Sequence, residues 1–304
     1  MHARWCRARH SPLGRSPHER RSAAPAGTAV PRSADARRLG RLAIASLHAE
    51  LACAPKPGLV TPFSRGSHTD MDAGTFLRSL FALRGYFVAI AQAGRSEAPF
   101  ASLRTLGIAA EAAMLRATGG INTHRGAIFS LGLLVAQSAR LRASGDGAPS
   151  GEAVCRGVAR WRSALLEAPL NPHSPGQRAR RRHAVPGVRE QAAAGYPLLH
   201  ALALPTLQRV LDATQDAEAA QVETLMTLIA HTVDLNLLHR GGEAGLAFAQ
   251  HQAHGFLTAG GVQQADWRER VAAIGDAFEQ RRLSPGGSAD LLACTWFLHL
   301  QAHA

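Results

Sequence analysis

The chain has 304 residues, 46% of them apolar and 5% aromatic, and a formal net charge of +12, enough apolar material for one sizeable core or two small ones. No run of about 18 apolar residues offers a membrane span, and no apolar stretch follows the basic N-terminus as a secretory signal requires, so a cytoplasmic protein is expected. Cys6, Cys53, Cys155 and Cys294 form no C-x-x-C pair, which leaves neither a zinc knuckle nor a redox motif in view.

Alanine and leucine dominate and β-branched residues are sparse, so an all-α fold is expected: one multi-helix globular domain over 34–304 behind a disordered basic tail. The tail, residues 1–33, sets seven arginines against Glu19 and so carries a net +6, half of the excess charge. It mixes Pro, Ser, Gly, Ala and Arg without apolar periodicity and reads as a flexible segment or a misassigned start. A nucleic-acid arm is the competing reading, but without the tail the chain is only mildly basic, so no nucleic acid is expected as partner.

From Ala34 to Cys53 the residues Leu39, Leu42, Ala43, Leu47 and Leu51 form one helical stripe, ended by Pro55-Lys56-Pro57-Gly58. A second helix starts after Asp70 or Asp72, either of which can cap it, and runs to about Gln92. A third spans Pro99 to Ala117 and stops at Thr118-Gly119-Gly120; a fourth runs from Thr123 to about Ala143, and another reaches Glu167. Beyond an arginine-rich stretch, Pro169 to Pro186, helices are predicted at Val188 to Leu204, Thr206 to Thr214, Ala217 to Leu238, Glu243 to Thr258, Gln263 to Arg282 and from Ser288 to the end.

Four inter-helix loops combine glycine with side chains that bind phosphate, metal or protons. The first holds Lys56, the only lysine in the chain, whose compact ammonium suits a phosphate contact or proton transfer, with a chance surface lysine as the alternative. It continues through His68, a possible base, to Asp70 and Asp72, of which one can cap a helix while the other takes a metal or substrate hydroxyl. The second, Thr118 to Gly126, carries Gly119, Gly120, Asn122, His124 and Arg125 before a helix N-terminus, an arrangement open to an anion or to a plain helix break. No Walker loop or G-x-G-x-x-G motif accompanies it.

The third loop, Asp234 to Gly242, holds Asn236, His239 and Arg240; Asp234 lies in an apolar stretch where an unpaired carboxylate is costly, so it binds a cation or hydroxyl or pairs with Arg240. The fourth, Leu283 to Asp290, sets Ser288 and Asp290 at a helix start, where Asp290 can also complement the helix dipole.

Taken in order, Pro55 to Val60, Gly66 to Asp72 (GSHTDMD), Thr118 to Gly126 (TGGINTHRG), Asp234 to Gly242 (DLNLLHRGG) and Ser284 to Leu292 (SPGGSADLL) resemble the successive motifs of the triphosphoribosyl-dephospho-coenzyme A synthase family, from about residue 35 to the end. Where that family carries Ser-His-Gly and then a Gly-Ala-Arg-Gly-Glu-like run, this chain has Ser174-Pro175-Gly176 and Gly187-Val188-Arg189-Glu190-Gln191, which leaves Arg189 as a candidate phosphate ligand.

The resemblance implies a helical transferase that moves the triphosphoribosyl group of ATP to 3′-dephospho-CoA, releases adenine, and passes its product to a phosphoribosyl-dephospho-CoA transferase acting on an acyl carrier protein. Thr61-Pro62-Phe63-Ser64-Arg65 resembles the malonate decarboxylase branch more than the citrate lyase branch. Under this reading Mg²⁺ with Asp70 or Asp72, and Lys56, Arg125 and Arg240, hold the triphosphate, while Asp234 or His68 serves as base. A different helical Mg²⁺-dependent enzyme acting on phosphorylated or ADP-ribosylated substrates is the alternative.

Overall fold

A computed structural model describes residues 32–145, 147–167, 182 and 185–304; the basic tail up to residue 31, the Ser174-Pro175-Gly176 motif and most of the arginine-rich stretch around it lie outside these. The described residues are helical and contain no strand. The helices are α1 (Arg32–Ala52), α2 (Ala73–Arg95), α3 (Phe100–Thr118), α4 (Arg125–Ser144), α5 (Gly151–Val158), α6 (Arg162–Glu167), α7 (Val188–Ala193), α8 (Leu204–Thr214), α9 (Ala217–His231), α10 (Leu235–Thr258), α11 (Trp267–Gln280) and α12 (Gly286–Ala302). No helix among them is long and apolar enough to cross a membrane.

The predicted stripe of α1 is the face it buries: Leu39, Ala43, Leu47 and Leu51 are all within 3% of full burial. It packs on α2 and α12, and α2 packs in turn on α3 and α4. Gly94 sets the α2–α4 approach, because a β-carbon there would overlap the carbonyl of Ala136. Two helices are apolar almost all round and occupy the centre. In α9 every residue from Ala219 to Ala230 is buried, and its hydroxyls turn back on their own helix, Thr224 to the Ala220 carbonyl at 2.7 Å and Thr227 to Glu223 at 2.8 Å. In α12 Leu292, Cys294, Phe297 and Leu298 are fully enclosed, each large apolar side chain contributing about 1.5–3 kcal/mol. Because α12 packs on α1, α4, α8 and α9, the C-terminal helix ties the bundle together and fixes where its own N-terminus points.

Two boundaries differ most from the sequence expectation. The break predicted between Leu204 and Thr206 is absent: a π turn, Leu199–Ala203, runs straight into α8, with the Leu204 N–H donating to the Leu199 carbonyl. That wider turn accommodates Pro205, which has no N–H to give. The chain turns instead at Gly195 and Tyr196, both with positive φ (79° and 50°). The helix expected from Ala217 to Leu238 ends at His231, and Asp234 starts a new one as the N-cap of α10, so Asp234 lies between two helices and not at the end of one.

Candidate active site

The four stretches converge, although the third, Asp234 to Gly242, is the N-cap and first two turns of α10 and not a loop. They rim and floor one cavity of about 1070 Å³, whose lining includes His68, Asp70, Asn122, His124, Arg125, Arg189, Asp234, Asn236, His239, Arg240 and Asp290. Lys56, Asp72, Gly119, Gly120 and Ser288 are not among the lining residues.

The first and fourth loops are stitched to each other. The Ser67 hydroxyl donates to the Leu283 carbonyl at 2.5 Å, and His68 Nε2 meets Ser284 Oγ at 2.9 Å. From the second turn of α10 Arg240 reaches both, donating to the carbonyls of Ser67 (3.0 Å) and Arg282 (3.1 Å) and to His68 Nδ1 (3.1 Å). A guanidinium can only donate, so Nδ1 is the acceptor, and the His68 proton sits on Nε2, directed at Ser284. Burial first, and then the charge of Arg240, push the His68 pKa below its ordinary value, so this imidazole is neutral. Asp70 stands beside it, Oδ1 3.7 Å from Nδ1, with a side chain 59% exposed.

The two neighbouring aspartates have separate tasks. Asp72 is the N-cap of α2, its Oδ1 accepting from the Thr75 N–H and hydroxyl, each at 2.9 Å, while its Oδ2 takes Arg65 at 3.2 Å; the bonds from Thr75 hold its pKa below the usual carboxylate range. Asp70 borders the cavity. Magnesium sites typically use one or two protein carboxylates plus substrate phosphates, a demand that Asp70 fits, whereas Asp72 has both oxygens engaged. Among the described residues no group of three His, Cys, Asp or Glu side chains forms a self-sufficient metal cage.

Asp234 organises two helix starts at once. Its Oδ1 accepts from the Asn236 N–H at 2.8 Å, capping α10, and its Oδ2 accepts from the Ser288 N–H (2.8 Å) and hydroxyl (3.0 Å) in the first turn of α12. No ion pair with Arg240 forms; the carboxylate is 1% exposed and is satisfied by these donors. Burial raises its pKa, and the bonds from Ser288 and Asn236 work against that rise. Gly286 and Gly287 let the turn lie close, a β-carbon at either meeting Asn236 or the Asp234 carboxyl at about 3 Å.

Gly119 and Gly120 belong to the end of α3 rather than to the start of α4. Both have positive φ (69° and 91°), and Gly119 is the left-handed C-cap of α3, the conformation in which glycine is favoured. The residue opening α4 is His124, its N-cap. Its ring is 2% exposed and packs edge-on against Phe76 at 4.9 Å. Nδ1 meets the hydroxyls of Ser79 (2.7 Å) and Thr123 (3.1 Å), while Nε2 is buried without a protein partner. Burial, and then the nearby Lys56 cation, push the His124 pKa down to about 3. Arg125 follows, its guanidinium paired with Glu111 of α3 and its N–H donating to Asn122 Oδ1 at 3.1 Å.

Lys56 sits behind this surface. Its ammonium is bonded to the Glu50 carboxylate and to the Glu50 carbonyl, each at 2.5 Å, and a direct phosphate contact would have to displace Glu50. The cavity meets Glu50 instead, a residue that motif reading missed because it lies inside a helix and in no loop. Its signal was an acid on the buried stripe of α1, three residues after Leu47 and six before the only lysine. Glu50 and Asp234 both bear on Asp290, whose carboxyl is seated against Gly126 so closely that no β-carbon fits there, and which accepts the Ala127 N–H. Burial, followed by those two acidic neighbours, raises the Asp290 pKa well above the carboxylate range.

The sequence profile of the ATP:dephospho-CoA triphosphoribosyl transferase family, CitG, matches residues 36–304. The chain belongs to this family. Among relatives of this transferase-family chain, a 2-(5″-triphosphoribosyl)-3′-dephosphocoenzyme-A synthase of Pectobacterium atrosepticum is 40% identical over 84% of the chain and 86% of its own length. Proteins named for the same synthase from Acinetobacter calcoaceticus (39% identity; 88% of this chain, 91% of the relative) and Vibrio cholerae (37%; 86% and 88%) are similar along the same span. No solved structure matches. The family match begins at residue 36 and leaves the whole basic tail outside it.

Proposed function

We propose that the chain transfers the triphosphoribosyl group of ATP to the 2′-hydroxyl of 3′-dephospho-CoA with release of adenine, in the cytoplasm. The observation that carries this reading is the convergence of four separated loops on one cavity with arginines, amides and carboxylates facing it, in a chain that matches the transferase family from residue 36 onward. ATP is here a ribosyl donor, with its triphosphate as the handle and adenine as the leaving group, so a Walker loop is not required.

In the step, the 2′-oxygen bonds to the anomeric carbon as the glycosidic C–N bond breaks and its electron pair goes to adenine, through an oxocarbenium-like transition state. The hydroxyl needs a proton acceptor, adenine a donor, and the phosphates positive partners. We assign the phosphates to Arg125, Arg189 and Arg240, with Asn122, Asn236 and His239 as further donors. Mg²⁺ bound by Asp70 and the phosphates would supply charge neutralisation. Asp290, held toward its neutral form by burial, Glu50 and Asp234, is suited to protonate adenine. His68, neutral, is suited to take the hydroxyl proton once Arg240 turns from Nδ1 to a phosphate. Asp234 as base is a second reading, favoured by its buried, raised carboxyl, and it requires breaking a bond from Ser288.

Incubation with ATP, Mg²⁺ and dephospho-CoA should release free adenine and raise the acceptor mass by one triphosphoribosyl group. Adenine or phosphate release that ignores the acceptor would instead favour a helical Mg²⁺-dependent hydrolase of phosphorylated or ADP-ribosylated substrates. We further assign the product to the malonate decarboxylase acyl carrier protein on the resemblance of Thr61 to Arg65. Offering the product, with the phosphoribosyl-dephospho-CoA transferase, to the malonate decarboxylase and citrate lyase carriers separately tests that assignment.

A further inference from the structure

The cavity has a second side that the four loops do not build. Along α3 the apolar residues Phe100, Leu103, Gly107, Ile108 and Leu115 face it, with Arg104 and Glu111 among them, the latter paired with Arg125; the stripe has helical spacing and extends about 22 Å. Phe129 and Leu133 of α4 and Leu165 of α6 also line it. Ile108 is 56% exposed and Val188 37%, and both line this space. Apolar side chains left open in a concave site mark a place where a ligand covers them.

Gly107 is the second observation. It lies inside α3, where glycine costs about 0.5–1 kcal/mol relative to alanine. Its backbone conformation does not require glycine, and the only protein atom near an added β-carbon is the Tyr86 hydroxyl, at 3.9 Å. No protein neighbour demands the missing side chain; the space it leaves is cavity.

A ligand segment suited to this side is elongated and largely apolar, with room for a few polar groups beside Arg104. Of the two substrates, ATP has only its flat base to offer, whereas dephospho-CoA carries a pantetheine arm, an uncharged chain of methylenes, geminal methyls and two amides ending in a thiol. The cavity volume of about 1070 Å³ also exceeds the roughly 300–1,000 Å³ usual for one ligand. Resting on the proposed function, we infer that the α3-lined side is the subsite for the pantetheine arm of the acceptor, and that Gly107 keeps it open.

The test is Gly107→Phe, with Ile108→Asn as a variant that exchanges an already exposed side chain. Calorimetric titration with dephospho-CoA, ADP (which lacks the arm) and ATP, together with a thermal melt, reads the outcome. For Gly107→Phe the expected result is dephospho-CoA binding weaker by about tenfold or more, ATP and ADP binding within about twofold of wild type, and an unchanged or higher melting temperature; Ile108→Asn should shift the same ligand in the same direction. Equal weakening of ATP, or unaltered dephospho-CoA binding in both folded variants, overturns the assignment while leaving the proposed function standing. Wild-type protein that binds neither ATP nor dephospho-CoA removes both. Should Gly107→Phe fail to fold, Ile108→Asn decides by the same comparison.

Discussion

The two sides of the cavity are built on different principles. On the loop side nearly every polar side chain already has a protein partner: Arg240 bonds two carbonyls and His68, Asp234 holds two helix starts, and Lys56 grips Glu50. On the α3 side the lining is largely apolar, Arg104 and Glu111 apart, and partly uncovered. Preorganisation therefore belongs to the loop side, where charge develops in the proposed reaction, and space belongs to the helix side. The contrast teaches that side chains of the loop side carry fold and chemistry together, whereas those of the α3 side are free to serve recognition alone.

That division is open to attack from several directions. Asp234→Ala removes a cap and strands the Ser288 N–H in a buried place, so urea unfolding should report a loss of about 2–4 kcal/mol together with loss of adenine release. Wild-type stability in that variant would break the link between the two roles. Arg240→Lys keeps the charge but loses the fork that spans three partners; adenine release should fall by about tenfold or more with under about 1 kcal/mol lost in stability, since the site is exposed.

The buried His124 sharpens the comparison through pH. Its folded-state pKa, about 3, lies below its unfolded value of 6.5, so on acidification the unfolded chain binds the proton first and stability falls from about pH 6.5 downward. Between pH 7 and 5 the loss from this one group is about 2 kcal/mol. His68, also lowered, acts with the same sign. Asp234 and Asp290, both raised, act with the opposite sign, their stabilisation fading as pH rises above the ordinary carboxylate range. Denaturant titrations across this window should show a flatter slope for His124→Gln than for wild type; parallel slopes would contradict the buried neutral ring.

The smallest effect separates the neighbouring aspartates. Asp72→Ala should cost about 1 kcal/mol through the α2 cap, read by thermal melting, with adenine release close to wild type. Asp70→Asn should do the reverse, sparing the melting temperature and raising the Mg²⁺ concentration needed for turnover. An exchange of these two phenotypes would reassign the pair.

Much of this was readable before any coordinates. The stripe of α1, a cap at Asp70 or Asp72 and the order of the motifs follow from periodicity, capping chemistry and glycine placement, all local properties. The π turn at Leu199–Ala203 and the start of α10 at Asp234 were misread, because Pro205 and the long apolar run are ambiguous until packing decides between a break and a bulge. Glu50 stayed hidden since it lies inside a helix and outside every motif, and its place on the buried stripe gains meaning only once Lys56 is seen bonded to it.

Composition and spacing by themselves determined that this chain is a helical protein whose polar chemistry is gathered in four glycine-containing stretches at helix ends, because helix propensity and turn chemistry act over a few residues. Only the tertiary structure decided that Lys56 faces Glu50 and not the cavity, that Asp234 reaches Ser288 fifty-four positions away, and that α3 turns apolar side chains toward an open space. Those outcomes depend on how α1, α4 and α12 pack, and packing joins residues whose separation along the chain carries no local signal.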